Sequence, residues 1–174
     1  TKKYFDIPQK RGVEPGMFSI FVDPTKCKGC SECVQVCREL GYDALAMIPK
    51  AEETVPDYKD EFSFFKALPD TPEQYINERA LSDIMLAKRS LSYVGGAGSC
   101  AGCGEGTALR MMNAANSFKY GTEGWGIVAA TGCNTVYTST YPYNPYLVPW
   151  TNSLFENAAA DAMGIRIRWD QLGW

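Results

Sequence analysis

The sequence predicts an α/β protein with an iron–sulfur portion towards its amino-terminal end. Three observations predict this. Four cysteines crowd into the eleven residues from Cys27 to Cys37, between two strand-like segments. The short apolar run Gly126-Ile-Val-Ala-Ala130 has the character of a strand inside a parallel sheet. Helical periodicity lies on both sides of that run. With 174 residues, the chain has room for one ordinary domain or two small ones.

The elements follow in chain order. Residues 1–17 are polar, with Pro8, Gly12, Pro15 and Gly16, and read as a surface approach segment. Phe18-Ser-Ile-Phe-Val22 is rich in β-branched and aromatic residues and reads as a strand. Asp23-Pro24-Thr25 is a turn leading into the first cysteines. Ala44 to Ile48 reads as a return strand ended by Pro49. A strand, a cysteine loop, a short helix and a strand make about half of a small iron–sulfur ferredoxin. Residues 49–71 read as a connector, with Pro56, Pro69 and a solvated acid–lysine run over Glu52–Lys66. Thr71-Pro72-Glu73-Gln74 has the residues of a helix start. Ile76, Ala80, Leu81, Ile84 and Met85 recur at helical spacing as a core stripe.

The Gly95-Gly96-Ala97-Gly98 run breaks that pattern ahead of the second cysteine pair. A helix is predicted from about Glu105 to Phe118, burying Leu109, Met112 and Ala115. After the strand 126–130 comes Thr131-Gly132-Cys133. The next stretch holds Tyr137, Tyr141, Tyr143 and Tyr146 with Pro142, Pro145 and Pro149, and reads as a loop that packs over a crevice or lines a partner surface. Ser153 to Met163 is predicted helical, with Ser153 and Glu156 as a capping box and Gly164 as its stop. Ile165, Ile167 and Trp169 have the alternation of a further strand. Met111, Met112 and Met163 are expected in the core.

Composition removes several function classes. Apolar residues make up 45 % and charged residues 21 %, a globular balance. The net charge of −3 gives no basic field for nucleic acid or an anionic membrane. There is no histidine, which removes Ser-His-Asp and Cys-His catalysis and every imidazole-bound zinc site. No apolar stretch is long enough to span a bilayer, and no secretory signal pattern is present. Seven cysteines, an odd number with six in two tight groups, argue against a secreted disulfide framework and for a reducing compartment.

The first group is Cys27-x2-Cys30-x2-Cys33-x3-Cys37. Three thiolates on one loop grip three corners of a cubane cluster, while the fourth starts a helix and faces another cluster. Zinc sites place two ligand pairs further apart. The residue after the fourth cysteine is Arg38 instead of the usual proline, and the chain has no second run of this kind. Either Cys37 serves a cluster whose other ligands lie elsewhere, or all four hold one cluster. The second group is Cys100-Ala-Gly-Cys103, with Cys133 thirty residues on at the end of the predicted strand. By itself the pair also suits a redox dithiol or half a zinc site, and Cys133 a buried thiol. Gly96-x-Gly98-x-x-Ala101 formally matches a dinucleotide fingerprint, but no strand precedes it and no βαβ unit surrounds it.

Three runs occur in a fixed order: Gly98-Ser-Cys-Ala-Gly-Cys-Gly-Glu105, Ala130-Thr-Gly-Cys133 and Trp150-Thr-Asn-Ser-Leu-Phe-Glu156. Together with the preceding cysteine run, they resemble the pyruvate:ferredoxin (2-oxo acid:ferredoxin) oxidoreductase family over about residues 18–164. The resemblance implies an α/β fold in which a ferredoxin-like iron–sulfur portion (α+β) is followed by part of an open α/β thiamine-diphosphate-binding domain. It divides the chain into a ferredoxin-like 4Fe-4S portion at 1–50, a connector with a helix at 51–94, and the start of the thiamine domain at 95–174.

The resemblance also implies an enzyme that decarboxylates a 2-oxo acid, pyruvate first, with coenzyme A, passing electrons from thiamine diphosphate through 4Fe-4S clusters to ferredoxin or flavodoxin. Cys100, Cys103 and Cys133 then hold the cluster nearest the thiamine, with a fourth ligand from later in the domain. The ferredoxin-like domain of the family carries two further clusters leading to the surface, for which Cys27, Cys30, Cys33 and Cys37 are ligands, with the cluster served by Cys37 left open. Glu105, Thr131, Gly132, Cys133, Asn134 and Asn152 fall near the thiamine. For Glu105 the helix dipole is an equally good reason to be where it is, and for Asn152 and Asn157 helix capping is the plainer role. The Gly-Asp-Gly stretch that holds the diphosphate and Mg²⁺ in the family has no match here, and Leu147-Val-Pro149 replaces the family's Gly-x-Gly-Pro. The Mg²⁺ ligands and the activating glutamate are therefore expected outside these residues, and the chain reads as a fragment or one piece of a split enzyme. A homo-oligomer in the cytoplasm, with no nucleic-acid or membrane partner, is expected. The rival reading is a non-enzymatic iron–sulfur carrier that binds no thiamine.

Overall fold

In the computed structural model the described residues are 1–94, 99–100, 102–138 and 144–174. They fall into two units, Thr1–Asn77 and Glu78–Trp174. Tyr141, Tyr143 and the Gly96–Gly98 fingerprint positions lie outside the described residues.

The first unit opens with a π-helical turn, Lys2–Asp6, running into α1 (Ile7–Lys10) with Pro8 in its first turn. The cysteine loop leads into α2 (Glu32–Glu39), and α3 covers Val55–Ala67. The strands expected at 18–22 and 44–48 do not form; both segments run without strand pairing. Residue preference selects an extended backbone, but a ladder needs a second backbone at hydrogen-bonding distance. Instead, the aromatic rings of the first segment make contacts. Phe18 stacks on Tyr4 at 5.7 Å and Phe21 on Phe65 of α3 at 5.2 Å.

The expected connector at 49–71 is replaced over much of its length by α3. Pro56 sits in the first turn, where its missing N–H has no intrahelical partner to lose. Asp57 in the first turn and Lys66 in the last complement the helix dipole. No residue of α3 is buried, so the acid–lysine run is a solvated face, but a helical one. The helix expected from Thr71 shrinks to a single 3₁₀ turn, Glu73–Tyr75. Tyr75 donates its hydroxyl to the Glu14 carbonyl at 2.7 Å, and a Cβ at Gly16 would lie 2.9 Å from its ring. Close approach of chain to ring therefore requires glycine at position 16.

The second unit contains α4 (Leu81–Ile84), a 3₁₀ turn at Lys88–Ser90, α5 (Gly104–Tyr120), β1 (Ile127–Ala130), α6 (Cys133–Thr138), β2 (Trp150–Ser153) and α7 (Ala158–Gln171). The stripe from Ile76 to Met85 does not make one helix, because Ala80 is extended (φ −113°, ψ 111°) and only Leu81–Ile84 winds. β1 and β2 pair in parallel, with Ala129 opposite Asn152 and Ala130 opposite Ser153. The parallel strand expected at 126–130 is thus present, joined to its neighbour by a crossover that includes α6. A helix turn, Cys133–Thr138, occupies part of what reads as loop, since the Thr135 amide bonds back to the Gly132 carbonyl at 3.1 Å and the Thr138 hydroxyl to the Asn134 carbonyl.

The carboxyl-terminal helix is displaced from its expected place. Ser153 ends β2 instead of capping a helix, and α7 runs from Ala158 straight through Gly164 to Gln171. The strand expected at Ile165–Trp169 is therefore helix. Glycine in a helix interior costs about 1 kcal/mol, which the alanines before it and the Arg166–Asp170 pair at 2.6 Å offset. Asn157 stands at the N-cap without a side-chain cap bond, so the capping expected of it is not made.

The core of this unit gathers Tyr93, Tyr137, Tyr146 and Val148, with Cys103, Leu109, Trp125, Ile127 and Trp150 packed against them. Tyr93 and Tyr146 form an isolated antiparallel bridge with ring centroids 5.4 Å apart. α5 buries Asn113, Ala114 and Ser117, not Met112 and Ala115. Met111, Met112 and Met163 are all exposed, contrary to their expected core placement. The inward face of α5 repeats through a polar position, Asn113, which an apolar periodicity passes over. A chain of hydrogen bonds links the serines of this face: Trp125 Nε1 donates to Ser117 Oγ at 3.2 Å, Ser117 to Ser92 Oγ at 2.6 Å, and Ser92 to the Asn113 backbone carbonyl at 3.3 Å. Among the described residues, no helix is long and apolar enough to cross a membrane.

Candidate functional site

The cysteine loop of the first unit is built on Asp23. Its carboxylate accepts both the Thr25 amide (2.9 Å) and the Thr25 hydroxyl (2.6 Å), and its carbonyl accepts the Cys27 amide at 3.0 Å. Burial works to raise the Asp23 pKa. The Thr25 bonds and the Lys26 and Lys66 charges outweigh it, and the carboxyl is held below its ordinary value. Gly29 and Ser31 both adopt left-handed conformations (φ 69° and 64°) on either side of Cys30, bending the loop sharply before α2.

α2 begins at Glu32, so Cys33 and Cys37 lie one turn apart on one helix face. This corrects the expectation of three loop thiolates with a fourth that starts the helix: only Cys27 and Cys30 are on the loop. An acidic residue in the first turn favours the earlier start. The Ala44 amide donates to Cys37 Sγ at 3.3 Å, and Lys50 Nζ donates to the Cys27 carbonyl. Arg38 turns to the surface and pairs with Asp43 at 3.3 Å.

The second unit places the other candidates at two points. At the start of α5, Cys103 is the N-cap, its sulfur accepting the Gly106 amide at 3.3 Å, and Glu105 occupies the first turn. Cys100 is exposed. At the carboxyl ends of the parallel strands, Thr131 Oγ1 donates to the Ser153 carbonyl at 3.1 Å. Thr135 Oγ1 accepts the Gly132 amide at 3.2 Å and donates to Asn152 Oδ1 at 2.9 Å, its shortest acceptor. These bonds bring Thr131, Gly132, Cys133, Asn134 and Asn152 to one edge of the sheet. In open α/β sheets, ligands bind outside the carboxyl ends of the strands. A groove of about 360 Å³ between the strands and α7, lined by Gly126, Pro149, Trp150 and Trp169 among others, lies at their opposite, amino-terminal ends.

One residue of the site escaped the sequence reading: Thr135, two positions after Cys133, with nothing but its hydroxyl to mark it. Tyr137, read as part of a loop that packs over a crevice or lines a partner surface, is 3 % exposed. Burial above all, and then the nearby Glu105 carboxylate, Tyr93 and Cys103, push its pKa far above that of an ordinary phenol. The Glu105 side chain opposes ionisation both as a hydrogen-bond partner of the hydroxyl and by its charge. Tyr146 is pushed up to about 12 by burial and by Tyr93, against a hydrogen bond with Thr138.

All seven cysteines are unpaired. Among the described residues, no three Cys, Asp or Glu side chains converge on one point as ligands of a single metal ion. The donor chemistry fits thiolate-bound clusters. Backbone amides aimed at Cys37 and Cys103 fit sulfur that accepts hydrogen bonds.

The chain is a cysteine-rich α/β polypeptide. Over most of its length it is similar to pyruvate:flavodoxin and pyruvate:ferredoxin oxidoreductases. It is 29 % identical over 178 residues to a pyruvate-flavodoxin oxidoreductase of Rhodospirillum rubrum, covering 93 % of this chain and 14 % of that protein. It is 28 % identical over 175 residues to a probable pyruvate-flavodoxin oxidoreductase of Escherichia coli, covering 94 % and 14 %. Over 83 residues it is 43 % identical to the pyruvate synthase subunit PorB of Pyrococcus furiosus, covering 45 % of this chain and 25 % of that subunit. The chain thus spans about a seventh of the length of the larger relatives. No family model matches it.

Proposed function

We propose that these residues are the stretch of a 2-oxo acid:ferredoxin oxidoreductase in which thiamine diphosphate meets its first electron acceptor. Pyruvate is the substrate proposed, with coenzyme A as acyl acceptor and ferredoxin or flavodoxin as the final carrier. The observation that supports this most is the position of Cys133: the same five-residue neighbourhood offers a thiol and, on either side of it, a cofactor-sized set of hydroxyl, amide and backbone groups at the carboxyl ends of parallel strands. When bound, thiamine diphosphate supplies an electron sink and the clusters supply one-electron relays.

The residues divide the work. Gly132 keeps the main chain bare beside the cofactor, since a side chain there would occupy space that is open. Thr135 locks the 131–134 turn to Asn152, fixing the amide and hydroxyl groups at the carboxyl ends of the strands. Cys100, Cys103 and Cys133 are proposed as ligands of the inner 4Fe-4S cluster, and Cys27, Cys30, Cys33 and Cys37 of an outer one. The division into 1–50, 51–94 and 95–174, the homo-oligomer and the cytoplasmic setting belong to the same proposal.

Cys133→Ser in the full-length protein tests it. One cluster signal in the electron paramagnetic resonance spectrum of the reduced protein is expected to disappear, with about four irons and four sulfides lost, while the signal that depends on Cys27–Cys37 persists. An unchanged spectrum contradicts the assignment.

A further inference from the structure

α7 is apolar on two faces, and only one of them is covered among the described residues. Ala162, Ile165 and Trp169 face the sheet across the groove. On the opposite side, Ala160, Met163, Gly164 and Ile167 recur at helical spacing. Met163 is 66 % and Ile167 56 % exposed, and no residue of α7 is buried. A helix that is apolar all round belongs in the interior of an assembly. Gly164, in mid-helix, leaves the main chain bare on this outer face, where an added Cβ would meet nothing within 4 Å.

The charges beside this face define what fits it. On one flank Arg166 and Asp170 satisfy each other at 2.6 Å. On the other flank stand Asp161 and Arg168, about two helical turns apart and in no ion pair among the described residues. Negative towards one end and positive towards the other, that flank is complementary to itself when a second α7 runs antiparallel to the first. A two-fold axis passing between Gly164 and Ile165 sets Asp161 of each copy beside Arg168 of the other. With a rise of ~1.5 Å per residue, the same axis seats Ile167 at a height between Ala160 and Met163 of the second copy, so that large and small side chains interdigitate. We propose that the outer face of α7 is a contact between two copies of this protein, antiparallel about a two-fold axis. A two-fold interface uses one patch twice and requires such self-complementarity. The inference rests on the homo-oligomer of the proposed function and names its surface.

The test places a photoreactive side chain on the outer face of the full-length protein, as Met163→p-benzoylphenylalanine. Irradiation is expected to give a covalent dimer, and mass spectrometry of its peptides to join position 163 to α7 of the other copy. Charge reversal supplies the second arm. Asp161→Arg and Arg168→Asp, each creating two like-charged pairs by symmetry, are each expected to weaken dimerisation about tenfold. The double variant is expected to restore it, which a merely damaged fold would not do. The photoreactive arm leaves both charges in place and decides the matter if a charge variant fails to fold. Light scattering that finds only monomer overturns the homo-oligomer and this contact together. A dimer in which position 163 bonds within its own chain, to a segment other than α7, or to nothing overturns this contact alone. So does a folded charge-reversed variant that dimerises as before.

Discussion

Asp23 shows how one side chain prepares the cysteine loop. Its carboxylate ties down Thr25 twice and stands 3.9 Å from Lys26. Its pKa in the folded chain is below the ordinary 3.8, so its contribution to stability is fully present above that value and is lost as pH falls through the lower, folded one. With Lys26 more than half exposed, the contribution is under about 1 kcal/mol. The Thr25 amide resonance is expected to titrate with a midpoint below 3.8, and Asp23→Asn to abolish that titration. A midpoint above 3.8 would mean that burial, not the Thr25 bonds, dominates. Tyr137 is the contrasting residue: nothing about it is local. Its sequence neighbours mark a tyrosine-rich loop, while its burial depends on Tyr93, Tyr146 and Val148 gathering around it. That is why the cysteines of this site were legible from their spacing and the burial of Tyr137 was not.

Elements were legible where local signals agree. β1 is a short β-branched and alanine run with turn residues at its end, and α5 ends at Gly121 after a long stretch of good helix formers. They were misread where one punctuating residue was taken for a boundary. Pro56 lies in the first turn of α3, and Gly164 lies inside α7. Strand-like alternation at Ile165, Ile167 and Trp169 coexists with a helical face, since Ala162, Ile165 and Trp169 line the groove against the sheet. The two glycines that touch α7 should respond oppositely to alanine. At Gly164 an added Cβ meets nothing within 4 Å, so Gly164→Ala is expected to stabilise the second unit by up to about 1 kcal/mol. At Gly126 it would lie 3.0 Å from Trp169 and 3.1 Å from the Pro149 carbonyl, so Gly126→Ala is expected to cost about 1–3 kcal/mol. Denaturant midpoints followed by tryptophan fluorescence, all four tryptophans being in this unit, read both. Equal effects would place α7 elsewhere.

At the scale of the whole molecule, the chemistry at the strand ends is incomplete in a specific way. Thr131, Gly132, Cys133, Asn134 and Asn152 supply hydroxyl, thiol, amide and backbone groups, but no carboxylate. Of the aspartates that follow Cys133, Asp161 and Asp170 both lie on α7, and Asp170 is bonded to Arg166 at 2.6 Å. A diphosphate carried by Mg²⁺ needs hard oxygen ligands, usually one or two carboxylates. Under the proposed function the five residues would orient the organic part of thiamine diphosphate without gripping its metal-bound tail, and the metal ligands are proposed to lie outside these 174 residues, which span about a seventh of the larger relatives. Calorimetry is expected to find weak thiamine diphosphate binding to the 174 residues alone, with no dependence on Mg²⁺. In the full-length protein, binding is expected to be tight and to weaken when Mg²⁺ is chelated. Tight, Mg²⁺-dependent binding to the short chain would place the metal ligands among its own residues and would refute this division of labour between the strand-end crevice and the rest of the enzyme.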